Sequence, residues 1–162
     1  MLTPPLTSTL ARPLMRAPLL MAACLLAGLA AAPCARAQTP VPPFYLEAAD
    51  CTAAFEARVV ARLAQPKSEA RDKAILSDTE WGFVFIGVAY KEGLRSPQAE
   101  ELLKAAQKRW RLLGRPEQDA RLATCTTRAQ QLMDDVSFVE RFLVRNRAKA
   151  RVDRLLEREA RK

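Results

Sequence analysis

Histidine occurs nowhere in the 162 residues. That absence excludes Ser-His-Asp and Cys-His catalysis, His-ligated zinc and di-iron sites, and c-type haem attachment, because each needs an imidazole. Glycine is scarce, at five residues, and none builds a phosphate-binding loop. Gly82 and Gly87 lie inside an apolar run rather than ahead of a helix, where such a loop would stand. No two of the four cysteines are spaced Cys-x-x-Cys, so a thioredoxin-type redox centre has no residues to work with. The clustered carboxylates are Glu100-Glu101, Glu117 with Asp119, and Asp134-Asp135. Two carboxylates alone suffice for glycoside hydrolysis. These, however, fall at helix starts or on polar faces, where they favour the helix dipole or solvate the surface. The sequence therefore offers no catalytic residue, no metal ligand set and no cofactor motif, and the expectation is a protein that is not an enzyme.

What is present begins with an export signal. Met15-Arg16 precedes a small, apolar run from Ala17 to Ala32, and Pro33-Cys34-Ala35-Arg36-Ala37 ends in an Ala-x-Ala site. A positive start, an apolar middle and a small-residue cleavage site describe a secretory signal peptide over residues 1–37, cleaved after Ala37. Met15 is an alternative start of translation. The Ala-, Leu- and Arg-rich composition suits a Gram-negative bacterium, so the expected compartment is the periplasm. Cys51 and Cys125 remain after cleavage, and in an oxidising compartment they are expected to form a disulfide.

Charge is unevenly placed. The formal net charge is +8, of which Arg12, Arg16 and Arg36 leave with the leader. Residues 38–137 carry 14 basic and 14 acidic side chains, whereas residues 138–162 carry 9 and 4. The surplus is a property of the C-terminal end, not of the body.

Four helices are expected in that body. A Pro-rich extended arm, 38–43, leads into a helix over 44–64 whose Cys51, Phe55, Val59 and Leu63 share one face. Ser77-x-x-Glu80 has the form of a capping box ahead of Trp81–Tyr90, an uncharged stretch closed by Gly93. Strand-forming residues crowd this stretch. The helix signals on its flanks, and the lack of any partner strand, favour a central helix buried on two faces. Trp81, Val84, Phe85 and Val88 would make one face, and Phe83, Ile86 and Tyr90 the other. Its two glycines suggest close approach of another backbone, or a small-molecule pocket beside them. Ser96-Pro97 is expected to open a third helix with the stripe Ala99, Leu102, Leu103, Ala106, Trp110 and Leu113, closed by Gly114. A fourth, over 117–146, carries a heptad seam of Leu122, Cys125, Ala129, Leu132, Val136, Val139 and Leu143.

Beyond Asn146 the register changes. Arg147, Arg151, Arg154, Arg158 and Arg161 line one side of a separate amphipathic helix over 147–162, opposite Ala148, Val152, Leu155 and Leu156. A solvated helix packed on its own bundle, a helix docking on a partner protein, and a binder of an anionic membrane surface all fit this pattern. Nucleic acid is not expected, since no aromatic residues interleave with the basic ones for base stacking.

The run Ile86-Gly87-Val88-Ala89-Tyr90-Lys91-Glu92-Gly93, with Ala99 and Ala105-Ala106, resembles one helix hairpin of a tetratricopeptide or Sel1-like repeat. Those repeats carry Leu-Gly-x-x-Tyr in the first helix and small Ala residues in the second, and they bind other proteins. The likeness occurs once, and a repeat array needs several copies, so it implies shared hairpin packing rather than membership. The expected molecule is an all-α, four-helix-type up-down bundle with one disulfide and an extended basic C-terminal helix. Its expected role is non-catalytic binding of another cell-envelope component, with attachment to an anionic membrane surface as the alternative.

Overall fold

A computed structural model describes residues 40–161. The expected signal peptide and its cleavage site lie outside the described residues. The chain forms five helices: α1 Pro43–Leu63, α2 Glu69–Lys91, α3 Gln98–Leu112, α4 Arg115–Asp135 and α5 Phe138–Ala160. It is an all-helical bundle, with five members where the sequence suggested four and a tail.

α1 and α2 are the central pair, antiparallel and packed together along their length. α3 lies on α1, α5 on α2, and α4 on both. Phe55 of α1 meets Trp81 and Phe85 of α2 with ring centroids 5.6 and 6.3 Å apart. Phe55, Ile75, Val84 and Phe85 are fully enclosed. At the far end, Tyr45 Oη donates to the Glu92 carbonyl at 2.8 Å, tying the start of α1 to the end of α2. Gly93 follows with φ of 113°, the left-handed conformation expected of it.

Cys51 and Cys125 are bonded, with Cα atoms 5.3 Å apart and both side chains buried between α1 and α4. On the chain-entropy account a bridge across 74 residues stabilises the fold by about 4 kcal/mol. The four-residue spacing of Cys51, Phe55, Val59 and Leu63 does place them on the packed side of α1.

Five expectations are corrected. α2 does not begin at Ser77: it is continuous from Glu69, capped by Ser68, whose Oγ accepts from the Arg71 amide at 3.1 Å. Ser96 does not cap α3; Pro97 is the N-cap residue and no side chain caps that end. Gly114, expected to close the third helix, instead opens α4. The fourth helix breaks at Val136, and Ser137 starts α5, so the boundary expected at Asn146 falls within a helix. α3 also folds over α1 rather than back along α2, so the repeat-like hairpin does not form.

Candidate functional site

α5 is the element on which the expected arginine stripe lies, and its first turn is built by a capping box. Ser137 Oγ accepts from the Glu140 amide at 3.3 Å, and the Glu140 carboxylate accepts from the Ser137 amide at 2.8 Å. Lys91, at the end of α2, pairs with Glu140 at 2.8 Å. Lys91, then the bonds from Ser137, hold the Glu140 carboxyl down at about 2. Arg141 donates to the Asp134 carbonyl at 3.3 Å, satisfying an end of α4.

The inner side of α5 docks. Val144, Ala148 and Val152, four residues apart, are buried, and Leu155 and Leu156 are half-buried. Arg71 of α2, itself buried, grips Glu159 with two bonds of 2.9 Å and also donates to the Gln65 carbonyl at 3.1 Å. Burial pushes the Glu80 carboxyl of α2 upward, opposed by Arg145 of α5. The C-terminal helix therefore folds back along α2.

The outer side presents something the sequence reading divided between two helices. Phe138 is 83% exposed, Val139 63%, Phe142 54% and Leu143 47%. The heptad pattern of the sequence puts Val139 and Leu143 in a buried seam. That seam holds from Leu122 to Val136 and then ends, because the break at Ser137 turns the next residues outward. On the same helix Arg147, Arg151, Arg154, Arg158 and Arg161 are all exposed. Among the described residues none of the five forms an ion pair. One helix thus carries an exposed aromatic end and the chain's charge surplus.

A second feature lies between α3 and α5. The second face of α2, expected to be fully buried, is only half covered there. A cleft of about 520 Å³ is floored by Phe55, Val59 and Val60 of α1 and by Phe83 and Ile86 of α2, and walled by Arg151, Arg154 and Leu155 of α5. A smaller cleft of about 160 Å³, walled by α3, shares the lining residues Thr52 and Ile86 with it, so the two adjoin as a trough along α1 and α2. The carboxylates at the large cleft are already engaged. Asp78 sits between Arg58 and Arg62 at 2.6 and 2.7 Å, and Glu56 accepts from Gln107 at 2.8 Å. Arg58 also stacks over the rings of Phe55 and Trp81.

The helical glycines are not there for close backbone packing. A Cβ at Gly82 would meet only Phe55 Cβ, at 3.8 Å, and one at Gly87 only Val144 Cγ2, at 4.0 Å. Gly82 does line the large cleft, and Gly87 lines a third one of about 140 Å³ between α2 and α5. The remaining carboxylate clusters act locally: Glu100 and Glu101 sit in the first turn of α3, and Glu117 accepts from the Gly114 amide at 2.8 Å. No group of three or more acidic or cysteine side chains able to hold a metal occurs among the described residues. No described helix is long and apolar enough to cross a membrane.

The Ser137–Glu140 box was readable in the sequence, having the same form as Ser77–Glu80. Arg71–Glu159 and Arg58–Asp78–Arg62 carried no sequence signal, since their partners lie 88, 20 and 16 positions apart and meet only in the fold. No protein-family model, no curated protein and no solved structure matches the chain.

Proposed function

We propose that this is a non-catalytic, exported protein that binds another component of the cell envelope, and that α5 is the element that engages it. The observation that carries the proposal is the outer surface of α5. Exposed Phe138, Val139, Phe142 and Leu143 form a run of large apolar side chains next to exposed arginines that form no ion pair among the described residues. Large apolar side chains clustered on a surface mark interaction sites far more often than scattered ones do. Aromatic and arginine residues together are the side chains that dominate protein interfaces. The test is crosslinking with mass spectrometry on the exported protein. Crosslinks from one envelope protein to residues 138–161, lost in a Phe138→Ser/Phe142→Ser variant, are expected. A stable fold that crosslinks to no envelope component would overturn the proposal.

A second reading is attachment to an anionic membrane surface. It gains support from Phe138 and Phe142 lying on the same helix as the arginines, because interfacial helices need apolar anchors as well as charge. It predicts flotation with phosphatidylglycerol vesicles that weakens steeply with salt. Salt-insensitive flotation would sink it.

A further inference from the structure

We infer that the trough between α3 and α5 is a binding site for a single-chain anionic lipid, a lysophospholipid with a negatively charged head. Four observations converge on this ligand. The larger cleft, at about 520 Å³, falls within the roughly 300–1,000 Å³ of small-molecule sites. Its floor is aliphatic and aromatic, and the adjoining cleft that shares Ile86 carries apolar lining on to Leu94 and Leu103, a surface suited to an acyl chain.

The charge left over at the cleft is positive. Asp78 is neutralised by two arginines, and Glu56 stands toward α3 with its bond from Gln107. Arg151 and Arg154, one helical turn apart on the α5 wall, have no acidic partner among the described residues. Two adjacent guanidinium groups are suited to a phosphate, which accepts paired hydrogen bonds.

The last observation is Thr52. Thr52 lines both clefts, and its buried Oγ1 has no hydrogen-bond partner. Only 3% of Thr52 is exposed. Buried hydroxyls are seldom left unpaired. Rotated toward the cleft about its Cα–Cβ bond, this hydroxyl would find its acceptor in an oxygen of the linkage between head and chain. The lipid's head then lies against Arg151 and Arg154, its linkage at Thr52 and its chain along α1 and α2.

This site shares Arg151 and Arg154 with the basic side of α5 but not the exposed run Phe138–Leu143, and it does not rest on the role proposed for that run. Titration of the full-length protein with palmitoyl lysophosphatidylglycerol, followed by native mass spectrometry and calorimetry, tests it below the lipid's critical micelle concentration. A 1:1 complex is expected, and the zwitterionic choline analogue should bind roughly tenfold more weakly. Arg151→Glu/Arg154→Glu, on exposed positions that leave the core alone, should weaken binding by at least roughly tenfold. Thr52→Val should weaken it several-fold, and Ile86→Trp should block the trough. Phe138→Ser/Phe142→Ser should leave it unchanged while abolishing partner crosslinks, which separates failure here from failure of the proposed function. Equal binding by the wild type and the double charge reversal, or association only above the micelle threshold, would overturn the inference.

Discussion

The first turn and a half of α5 and the turns that follow are one helix with two different relations to the rest of the molecule. Val144, Ala148 and Val152, four residues apart, are buried, and Arg71 holds the far end through Glu159. From Phe138 to Leu143 the large apolar side chains face out. The same residue types thus stabilise the fold in one region and contribute almost nothing to it in the other. Apolar surface that does not stabilise its own fold is where a function independent of stability can reside.

The contrast is sharpest when the docked part is broken. Val152→Asp puts a charge into the apolar cluster of Val59 and Ile75 and is expected to cost about 3 kcal/mol or more, read as a lower urea midpoint. Loss of helix signal from α5 alone, by hydrogen exchange, would show that the helix detaches as a unit. Strengthening the docked part tests it from the other side. Gly87→Ala adds a methyl group within ordinary contact of Val144 and removes a helix-interior glycine. It should raise stability by roughly 0.5–1 kcal/mol in the same titration.

The junction between the two regions is governed by Glu140. Its carboxyl is held down at about 2, so its contribution is present above the ordinary carboxylate range and is lost as pH falls from there through about 2. Glu80 works in the opposite sense, because its raised value means that protonation relieves a burial cost. Glu140→Gln should therefore flatten part of the acid loss of stability across that window, and an unchanged acid profile would refute the assignment. The smallest effect belongs to the exposed part. Phe138→Ser and Phe142→Ser should each shift stability by no more than about 0.5 kcal/mol in either direction in thermal unfolding. A large loss would mean that this end is core after all.

How far the sequence was legible is shown by its two Ser-x-x-Glu runs. At Ser77 the run is overridden, because Ser68 already caps the helix and nothing from Glu69 to Glu80 breaks it. Ile75 and Asp78 are instead buried in mid-helix, against α1 and its arginines. At Ser137 the identical pattern does start a helix. Local chemistry is the same in both; tertiary packing decides. The apparent seam through Val139 and Leu143 masked the true start, since apolar residues outside the core can match a heptad by position alone. Periodicity did locate the all-helical fold and the packed face of α1, and the count of cysteines left after the leader located the disulfide. It could not locate the trough, which depends on where α3 and α5 come to rest against residues far away in sequence. The arginines were found, but Phe138 and Phe142 were assigned to a different helix, so the composite surface was missed.

The disulfide gives the chain a topology of its own. The bond between Cys51 and Cys125 closes a ring that contains all of α2 and α3, while α5 hangs outside it as a tail. A single cleavage at the α4–α5 connection leaves the ring intact and frees the tail from every covalent tie. The bearer of the exposed aromatic and basic surface is thus the one helix of the five that no covalent loop secures, retained on the ring only by its side chains.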